Sequence, residues 1–293
     1  MLLLTGATGL VGSTVLRRLL AEGSQVRCLV RDPKGLGADR VRVQIALGDL
    51  TDPPSFRNAM RGVHTVVHLA ASIRDQPRGS IEELNGIATW RMVEAAQRQG
   101  VERFVYFSAL GASTHHRTRL LRAKALAEQA VREADMQTIV FAPSIIYAPG
   151  DPWMTLLERM SLLPLMPVSG RGRALYQPIW AQDVADCVVA ALRAQDGPRS
   201  QRHEIAGPET LSHNDIIRAV LASLARRRPL LHVPTPIVSR SLRLLEATAG
   251  QGAFATWDEA ELMEVTMTSP RGAAGAEALG VSPQRMAAVL GTA

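Results

Sequence analysis

Short apolar runs alternate with longer helical patterns through the first half of the chain. The apolar runs are rich in Val, Leu and Ile and cover residues 1–5, 25–30, 41–47, 64–70, 103–109 and 137–142. Helical periodicity lies between them, at residues 10–23, 52–62, 81–100 and 118–133. Strands and helices that alternate at this spacing predict a parallel sheet with helices on both faces. The aliphatic character of the strands fits burial on both sides.

The pattern loosens after about residue 143, where prolines interrupt the chain. A clear helix follows at residues 181–194, and a short strand at 202–207 is expected to return to the sheet. Residues 212–227 begin with a serine cap and predict another helix, and the remainder indicates a small helical lobe. We therefore expect an α/β fold, a Rossmann-type doubly wound parallel sheet with a small, mostly helical C-terminal lobe. The sheet domain would comprise residues 1–150 with 179–207, and the substrate or partner lobe residues 151–178 with 208–293.

The stretch TGATGLVG directly follows the first strand and opens the first helix. Gly6 permits a tight turn, Gly9 lets backbone N–H groups approach a pyrophosphate, and Gly12 lets the helix pack closely on the strand. The helix N-terminus adds partial positive charge. A tight turn that binds nothing is the alternative, but the strand-to-helix context favours a dinucleotide. The predicted diphosphate-binding residues are Gly6, Thr8, Gly9, Leu10 and Val11.

The second strand ends in the sequence LVRDPKG, which bears on the choice of dinucleotide. An acidic residue about 20 positions past the glycines binds a ribose 2′-hydroxyl, whereas an arginine there accommodates a 2′-phosphate. Both are present, as Arg31 and Asp32, and Lys34 adds a second cation. We expect NADP(H) to be preferred, with NAD(H) as the alternative. The alternative for Asp32 is that it simply starts the turn at Pro33.

The composition of the chain limits the classes of function that are expected. Apolar residues make up 46% and charged residues 20% of the 293 residues, which indicates a globular protein. The net charge is +6, but the basic residues are scattered, which favours a diffuse field for anionic cofactors over a nucleic-acid surface. Of the 33 basic residues only Lys34 and Lys124 are lysines. These two positions suit a point ammonium rather than a guanidinium fork, unless their identity is chance.

The cysteines and the apolar stretches bear on the cellular compartment and on contact with membranes. Cys28 and Cys187 lie in apolar runs and predict no disulfide. The first residues lack the pattern of a signal peptide, and no apolar stretch reaches the roughly 18 residues of a membrane span, so a cytoplasmic setting is expected. Residues 236–247, with Arg240 and Arg243 among apolar neighbours, are compatible with weak association at a membrane surface. Such stripes more often pack on the parent domain. No metal site is predicted.

Several stretches together resemble the extended or atypical short-chain dehydrogenases/reductases. Within that group, the motifs most resemble those of NmrA-like proteins and of the NAD(P)H-binding accessory subunit of respiratory complex I, with its bacterial relatives. The resemblance covers most of the chain, and its motifs together are specific. They are TGATGLVG (5–12), GDLTD (48–52), VVHLAA (66–71), Asn85, GVERFVYFSALGA (100–112), PSIIYAPGD (143–151) and PIWAQDVADCVVAAL (178–192).

The resemblance implies a set of further cofactor-binding residues. Asp49 and Leu50 would border the adenine, and Lys124 would hydrogen-bond the nicotinamide ribose. The path from the ribose to the nicotinamide would be lined by Leu69, Ala70 and Ala71. The residues beside the nicotinamide ring would be Pro143, Ser144, Ile145 and Ile146. His68 is expected to be a hydrogen-bonded residue at a strand end rather than a catalyst.

The chain departs from the family where the proton chemistry should be. The family's tyrosine lies four residues before the lysine, and here that position is Leu120. The family's serine or threonine falls at Ser108 or just after it, where Ala109 and Leu110 follow. A positioned acid is worth roughly 10²–10⁴ in rate, and leucine has no proton to give. Standard tyrosine-based chemistry is therefore not expected.

Three substitutes for the tyrosine stay open. Lys124 can act as acid or base if burial lowers its pKa. A histidine of the pair His115 and His116 can supply a proton near neutral pH, although solvent-facing loop residues are the commoner case. Tyr147 follows the sixth strand but more plausibly packs between the lobes. The candidate catalytic residues are thus Lys124, Ser108 and His116.

Two functions of different kinds follow. The first is a reductase that uses NADPH on a small apolar carbonyl or quinone-like substrate, with a pocket built from residues 164–167 and neighbouring leucines. The second is a non-catalytic NADPH-binding protein that is structural or senses redox state, acting through a partner complex. Cofactor binding alone can stabilise a fold by a few kcal/mol. A homodimer or another protein complex is possible in both cases, and no nucleic-acid partner is expected.

Overall fold

A computed structural model describes residues 1–194, 197–249 and 256–292. Its main sheet has seven parallel strands in the order β11-β6-β5-β4-β1-β2-β3. These strands are β1 (Leu2–Thr5), β2 (Val26–Val30), β3 (Gln44–Leu47), β4 (Thr65–His68), β5 (Arg103–Phe107), β6 (Gln137–Pro143) and β11 (Ser200–Ile205). All six apolar runs of the first half therefore contain strands, and the strand predicted at 202–207 does join the sheet, beside β6.

The order of the strands reverses at β1, which pairs with β4 on one side and with β2 on the other. In open parallel sheets the crevice at such a switch point, outside the carboxyl ends of the strands, is where ligands bind. The Gly-rich loop leaves β1 at this point. Topology alone therefore predicts a ligand site at the carboxyl ends of β1, β2 and β4.

Helices cover both faces of the sheet, which confirms the Rossmann-type doubly wound fold. The helices are α1 (Leu10–Ala21), α2 (Pro53–Arg57), α3 (Ala88–Arg98), α4 (Arg119–Arg132), α5 (Pro152–Met160), α6 (Ala181–Arg193), α7 (His213–Ser223), α8 (Thr235–Ala249), α9 (Trp257–Leu262), α10 (Ala274–Glu277) and α11 (Met286–Val289). On one face α1 and α6 bury Val15, Leu16 and Val188. On the other face α3 and α4 bury Met92, Val93 and Val131.

The remaining elements form a third core around Tyr147, Met154, Tyr176 and Ile216. Ser212 caps α7 through a reciprocal bond with Asp215, as its position in the sequence predicts. The lobe also contains short strands that periodicity did not predict. They are β7 (Ile146–Tyr147), β8 (Met166–Ser169), β9 (Leu175–Tyr176), β10 (Ile179–Trp180), β12 (Leu211–Ser212) and β13 (Leu230–Val233), paired as β7/β10, β8/β13 and β9/β12.

The amphipathic segment at 236–247 lies within α8. Ile237 and Arg240 are exposed and Leu242 is buried, while the side chain of Arg243 lies outside the described residues. Across the described part of the chain, no helix is long and apolar enough to cross a membrane. The exact division into sheet domain and lobe stays a prediction.

Candidate functional site

The Gly-rich loop is closed tightly against the strand beside it. Gly6 has φ +74°, and a Cβ there would lie 2.6 Å from the Ala70 amide nitrogen. A Cβ on Gly12 would overlap the carbonyl oxygen of Gly6. Gly9 is the N-cap of α1, whose first turn has neither a side-chain cap nor an acidic residue. The amide groups of this helix start are thus left for an anion.

A cleft of about 300 Å³ opens from this loop along the carboxyl ends of β1, β2 and β4. Nine of the residues predicted to bind a cofactor line it: Gly6, Thr8, Gly9, Arg31, Asp49, Leu50, Leu69, Ala70 and Ala71. Other lining residues were not predicted, and they include Ser72, Gln76 and Leu84. Their only sequence signal is that they follow the VVHLAA motif, because loop conformation brings them to the cleft.

Arg31 and Asp32, which are adjacent in sequence, have different surroundings. Arg31 lines the cleft, whereas Asp32 is not among its lining residues. The Asp32 carboxylate instead accepts a hydrogen bond from the Lys34 backbone nitrogen at 2.9 Å. Lys34 itself is exposed outside the cleft. The alternative that Asp32 serves the turn at Pro33 therefore agrees with this geometry.

Asp49 presents a charged acceptor to the cleft. Its Oδ1 accepts from the backbone nitrogen and from the hydroxyl of Thr51, both at 3.0 Å. Its Oδ2 is buried without a hydrogen-bond partner and lies 3.6 Å from an Arg78 guanidinium nitrogen. Burial raises the pKa of Asp49, but the Thr51 hydrogen bonds and the charges of Arg31 and Arg78 together hold it below its usual value. A free carboxylate oxygen here fits an amino group such as that of adenine.

His68 is fixed inside a chain of hydrogen bonds beneath the cleft. The Ala70 amide donates to Thr5 Oγ1 at 3.3 Å, and that hydroxyl lies 2.8 Å from His68 Nδ1. On the other side His68 Nε2 lies 3.0 Å from Thr89 Oγ1, whose proton goes to the Asn85 carbonyl. Nε2 therefore carries the proton and Nδ1 accepts. Burial and the charge of Lys124 lower the pKa of His68 to about 3, so the ring is neutral.

Asn85 orders the start of the loop that follows β4. Its Oδ1 accepts from the Ser72 backbone nitrogen at 3.2 Å, and its Nδ2 donates to the Ser72 carbonyl at 2.7 Å. The residue lies in a π-helical turn, Glu83–Ile87, which leads directly into α3. Turns of this kind are frequent at functional sites. Asn85 thus positions Ser72 on the wall of the cleft.

Lys124 and Ser108 both lie at the backbone of Phe107, and neither is among the residues that line the cleft. The Lys124 ammonium donates to the Phe107 carbonyl at 2.6 Å and lies 5.1 Å from the centre of the Tyr106 ring. Its side chain is only 7% exposed, and burial lowers its pKa to about 8. Ser108 is the residue after Phe107, and its hydroxyl is buried without a hydrogen-bond partner. An ammonium near its titration point beside an unpaired hydroxyl can move a proton and orient a substrate oxygen.

The other candidate proton donors lie in the loop before α4 or in the core of the lobe. His116 Nδ1 accepts from the Thr118 backbone nitrogen at 3.0 Å, just before α4 begins. Burial lowers the pKa of His116, as do Arg117 and Arg122. His115 is exposed in the same loop. Tyr147 is fully buried in the lobe core, and burial raises the pKa of its hydroxyl, which has no hydrogen-bond partner.

The segment Pro143 to Ile146 joins the main sheet to the lobe. The Ser144 hydroxyl donates to the Met267 carbonyl at 2.6 Å and accepts from the Gln177 backbone nitrogen at 3.0 Å. That side chain is therefore committed to packing, while Ile145 and Ile146 are partly buried. Contact of this segment with a nicotinamide ring stays a prediction.

The residues 164–167, which are expected to build an apolar pocket, divide between the core and the surface of the lobe. Met166 is buried in the lobe core, whereas Leu162, Leu163 and Leu165 are exposed. Within β8, which pairs with β13, the alternate residues Met166 and Val168 are buried. These leucines lie on the surface of the lobe.

Ion pairs tie the loop after β4 to neighbouring helices. Arg119, the first residue of α4, bridges Asp75 at 2.9 Å and Glu82 at 2.6 Å. The hydrogen bond from Arg119 lowers the pKa of Glu82 to about 2. Arg74 pairs with Glu259 of α9 at 2.6 Å. Among the residues the structure describes, no group of three or more His, Cys, Asp or Glu side chains could hold a metal ion.

Comparison with known proteins identifies the family. A family model described as NAD(P)H-binding matches residues 6–195, which is well over half of the chain. The chain belongs to this NAD(P)H-binding family. This confirms the resemblance to short-chain dehydrogenases/reductases and the assignment of NAD(P)H as the cofactor.

Two relatives and one solved structure are similar to this NAD(P)H-binding protein over most of its length. It is 33% identical to sterol demethylase protein B from Methylococcus capsulatus, over 83% of this chain and 80% of that protein. It is 28% identical to the mitochondrial NADH dehydrogenase [ubiquinone] 1 alpha subcomplex subunit 9 from Arabidopsis thaliana, over 79% of this chain. The match spans only 60% of that relative's length. The dTDP-glucose 4,6-dehydratase DesIV from Streptomyces venezuelae, solved with NAD, shares the fold with a TM-score of 0.74 at 18% identity, over 100% of this chain and 95% of that one.

Proposed function

We propose that this NAD(P)H-binding protein is an NADPH-dependent reductase of a small apolar carbonyl or quinone-like substrate. In this proposal Lys124 supplies the proton that the family's tyrosine would give. The observation that carries it is the buried Lys124 ammonium with a pKa of about 8, held by the Phe107 carbonyl next to the unpaired Ser108 hydroxyl. Enzymes tune buried lysines toward neutral pKa values for this kind of acid–base work.

When bound, NADPH supplies the hydride that is added to the substrate carbon. The substrate oxygen must gain a proton in the same reaction. Most Lys124 side chains are protonated at pH 7, because the pKa is about 8, and each can give that proton and recover it from solvent. Ser108 is free to hydrogen-bond the oxygen and hold it in place. Leu120, one turn before Lys124, offers no proton and makes this part of the site apolar.

Two further features support an apolar substrate and NADPH. One relative is named for a sterol, which is an apolar molecule. Arg31 lines the cleft while the Asp32 carboxylate is engaged by the Lys34 backbone. An arginine that lines the cleft in this position suits a 2′-phosphate, whereas the carboxylate that would bind a 2′-hydroxyl is not among the lining residues. We therefore propose NADPH over NADH.

Leu120 also favours a second candidate, a non-catalytic NADPH-binding protein that acts through a partner complex. A site that has lost its acid keeps its cofactor affinity, and tight binding alone stabilises a fold. A relative named as a subunit of NADH dehydrogenase supports work within a complex. A homodimer would serve either function. We place the protein in the cytoplasm because both cysteines are free and buried, as in a reducing setting.

The two candidates separate in one experiment. The purified protein is titrated with NADPH and then incubated with a panel of quinones and aldehydes while the absorbance of NADPH is followed. Turnover that is lost in Lys124→Ala and kept in His116→Ala supports the reductase with lysine chemistry. Micromolar NADPH binding without turnover of any compound supports the non-catalytic candidate. Turnover that survives in Lys124→Ala contradicts the role given to the lysine.

A further inference from the structure

The lobe carries an exposed apolar surface that no part of the described chain covers. Leu162, Leu163, Pro164 and Leu165 are four consecutive exposed residues between α5 and β8, and Leu162 is 66% exposed. Leu231 of β13 is also exposed and lies beside them, since it pairs with Pro167, two residues after Leu165. Paired residues and residues two apart share a face of a sheet. We call Leu162, Leu163, Leu165 and Leu231 the leucine face.

Arginines are fixed at the base of this face. The Arg226 guanidinium donates to the Ser161 hydroxyl at 2.6 Å and to the Glu158 carbonyl at 3.3 Å. Arg228 donates to the Ser161 carbonyl at 3.1 Å. Ser161 immediately precedes the exposed leucines, so these contacts hold two cations against the loop. Arg227 lies between them in sequence and is exposed. We call Arg226, Arg227 and Arg228 the arginine rim.

The segments that build this surface are strongly biased in charge. Residues 159–182 contain three arginines and residues 216–245 contain six, and neither segment contains an aspartate or a glutamate. The whole chain has 27 acidic residues, so their absence from both segments is a local property. The acidic residue that lies nearest to Leu162 in sequence is Glu158, within α5.

The surface continues into α8, which begins two residues after β13. Ile237 is 55% exposed in its first turn, and Arg240 is exposed one turn later. Large apolar side chains beside cations match the chemistry of an anionic bilayer surface. Leucines enter the acyl region and arginines meet the phosphates. Three leucines within four consecutive exposed residues supply the apolar side chains that insertion between lipids needs.

We propose that the leucine face and the arginine rim dock this protein onto an anionic lipid bilayer. The docking surface lies on the lobe and uses no residue of the cofactor cleft. It does not depend on whether the protein is a reductase, although a bilayer would also be a reservoir of apolar substrate.

The test is flotation of the full-length protein with vesicles of two compositions. One set is phosphatidylcholine alone, and the other is phosphatidylcholine with phosphatidylglycerol. We expect the protein to float with the phosphatidylglycerol vesicles and to be released as salt increases, because salt screens the attraction. Arg227→Glu should weaken partitioning at least fivefold, since one cation near an anionic surface is worth about 1 kcal/mol. The double variant Leu162→Ser with Leu163→Ser should weaken it about tenfold.

Matched controls distinguish this surface from general charge and hydrophobicity. Arg61→Glu changes another exposed arginine, and Val41→Ser with Leu126→Ser changes two exposed apolar residues away from the lobe. These variants should float like the unchanged protein. NADPH affinity and melting temperature, measured for every variant, report whether it is folded. Failure of the unchanged protein to float, or equal loss in variants and controls, overturns the proposal, and failure to float would favour an acidic protein partner for this surface.

Discussion

The two ends of the predicted nucleotide site are built in different ways. At the diphosphate end, backbone groups and glycines define the cleft, and the positions of Gly6, Gly9 and Gly12 follow the family pattern. At the lysine end, side chains define the site, and Leu120 breaks the pattern while Lys124 keeps it. Backbone geometry tolerates little change, because a single Cβ on Gly12 would overlap Gly6. Side-chain chemistry can change without disturbing the fold, so cofactor binding and catalysis can be lost or altered separately.

The largest effect is expected from a side chain added at the diphosphate end. Gly12→Val should weaken NADPH binding at least about 100-fold, because α1 must move away from the turn that positions its amide groups. Calorimetric titration measures this. Gly23→Ala is the control, since Gly23 follows α1 with φ +75° and nothing lies within 4 Å of an added Cβ. That variant should lose about 1 kcal/mol of stability and keep its affinity.

At the lysine end, the missing acid can be restored. Leu120→Tyr places a phenol one turn before Lys124, and turnover of a responsive carbonyl substrate should increase about 100-fold, in line with the worth of a positioned acid. The ratio of kcat values measures the effect. Leu126→Tyr, on an exposed position of the same helix, should change nothing. An unchanged kcat in Leu120→Tyr would mean that this part of α4 does not face the substrate.

The pH profile tests the lysine itself. With a pKa of about 8, the protonated form falls tenfold for each pH unit above that value, and the rate of carbonyl reduction should fall with it. Unfolding would not explain the loss. The folded pKa lies below the ordinary 10.5, so the unfolded chain binds more protons between about pH 8 and 10.5, and stability from this group rises with pH there. A flat rate profile over this window would contradict the assignment.

The smallest expected effect concerns cofactor choice. Arg31→Ala should weaken NADPH binding about tenfold, the worth of a charge-assisted hydrogen bond, and leave NADH binding unchanged. Comparison of the two dissociation constants at the same ionic strength measures it. Lys34→Ala is the control, because Lys34 is exposed outside the cleft. Equal losses for both dinucleotides would show that Arg31 contributes only a general field.

Local rules in the sequence were enough to predict the sheet and the glycine loop. The hydrophobic periods of strands and helices depend on residues close in sequence. Gly6, Gly9 and Gly12 determine the conformation of the backbone around them. Ser72 and Gln76 could not be predicted, because Asn85 positions their loop from a distant π-turn. The burial of Met166 was also missed, since it depends on the pairing of β8 with a strand more than 60 residues later. The sequence also did not show which of Arg31 and Asp32 lines the cleft. That depends on the local conformation, in which the Asp32 carboxylate accepts a hydrogen bond from the Lys34 backbone nitrogen.

The hydrogen-bond chain through His68 has a consequence for the kinetics of binding. It links the end of β1, the end of β4 and the helix that follows, with every proton assigned to one acceptor. The Ala70 amide and the turn at Gly6 are therefore held in their final geometry before any dinucleotide arrives. Little free energy is lost to ordering on this side of the cleft. Association should accordingly be a single fast phase, limited by diffusion and orientation and without a slow step of loop rearrangement.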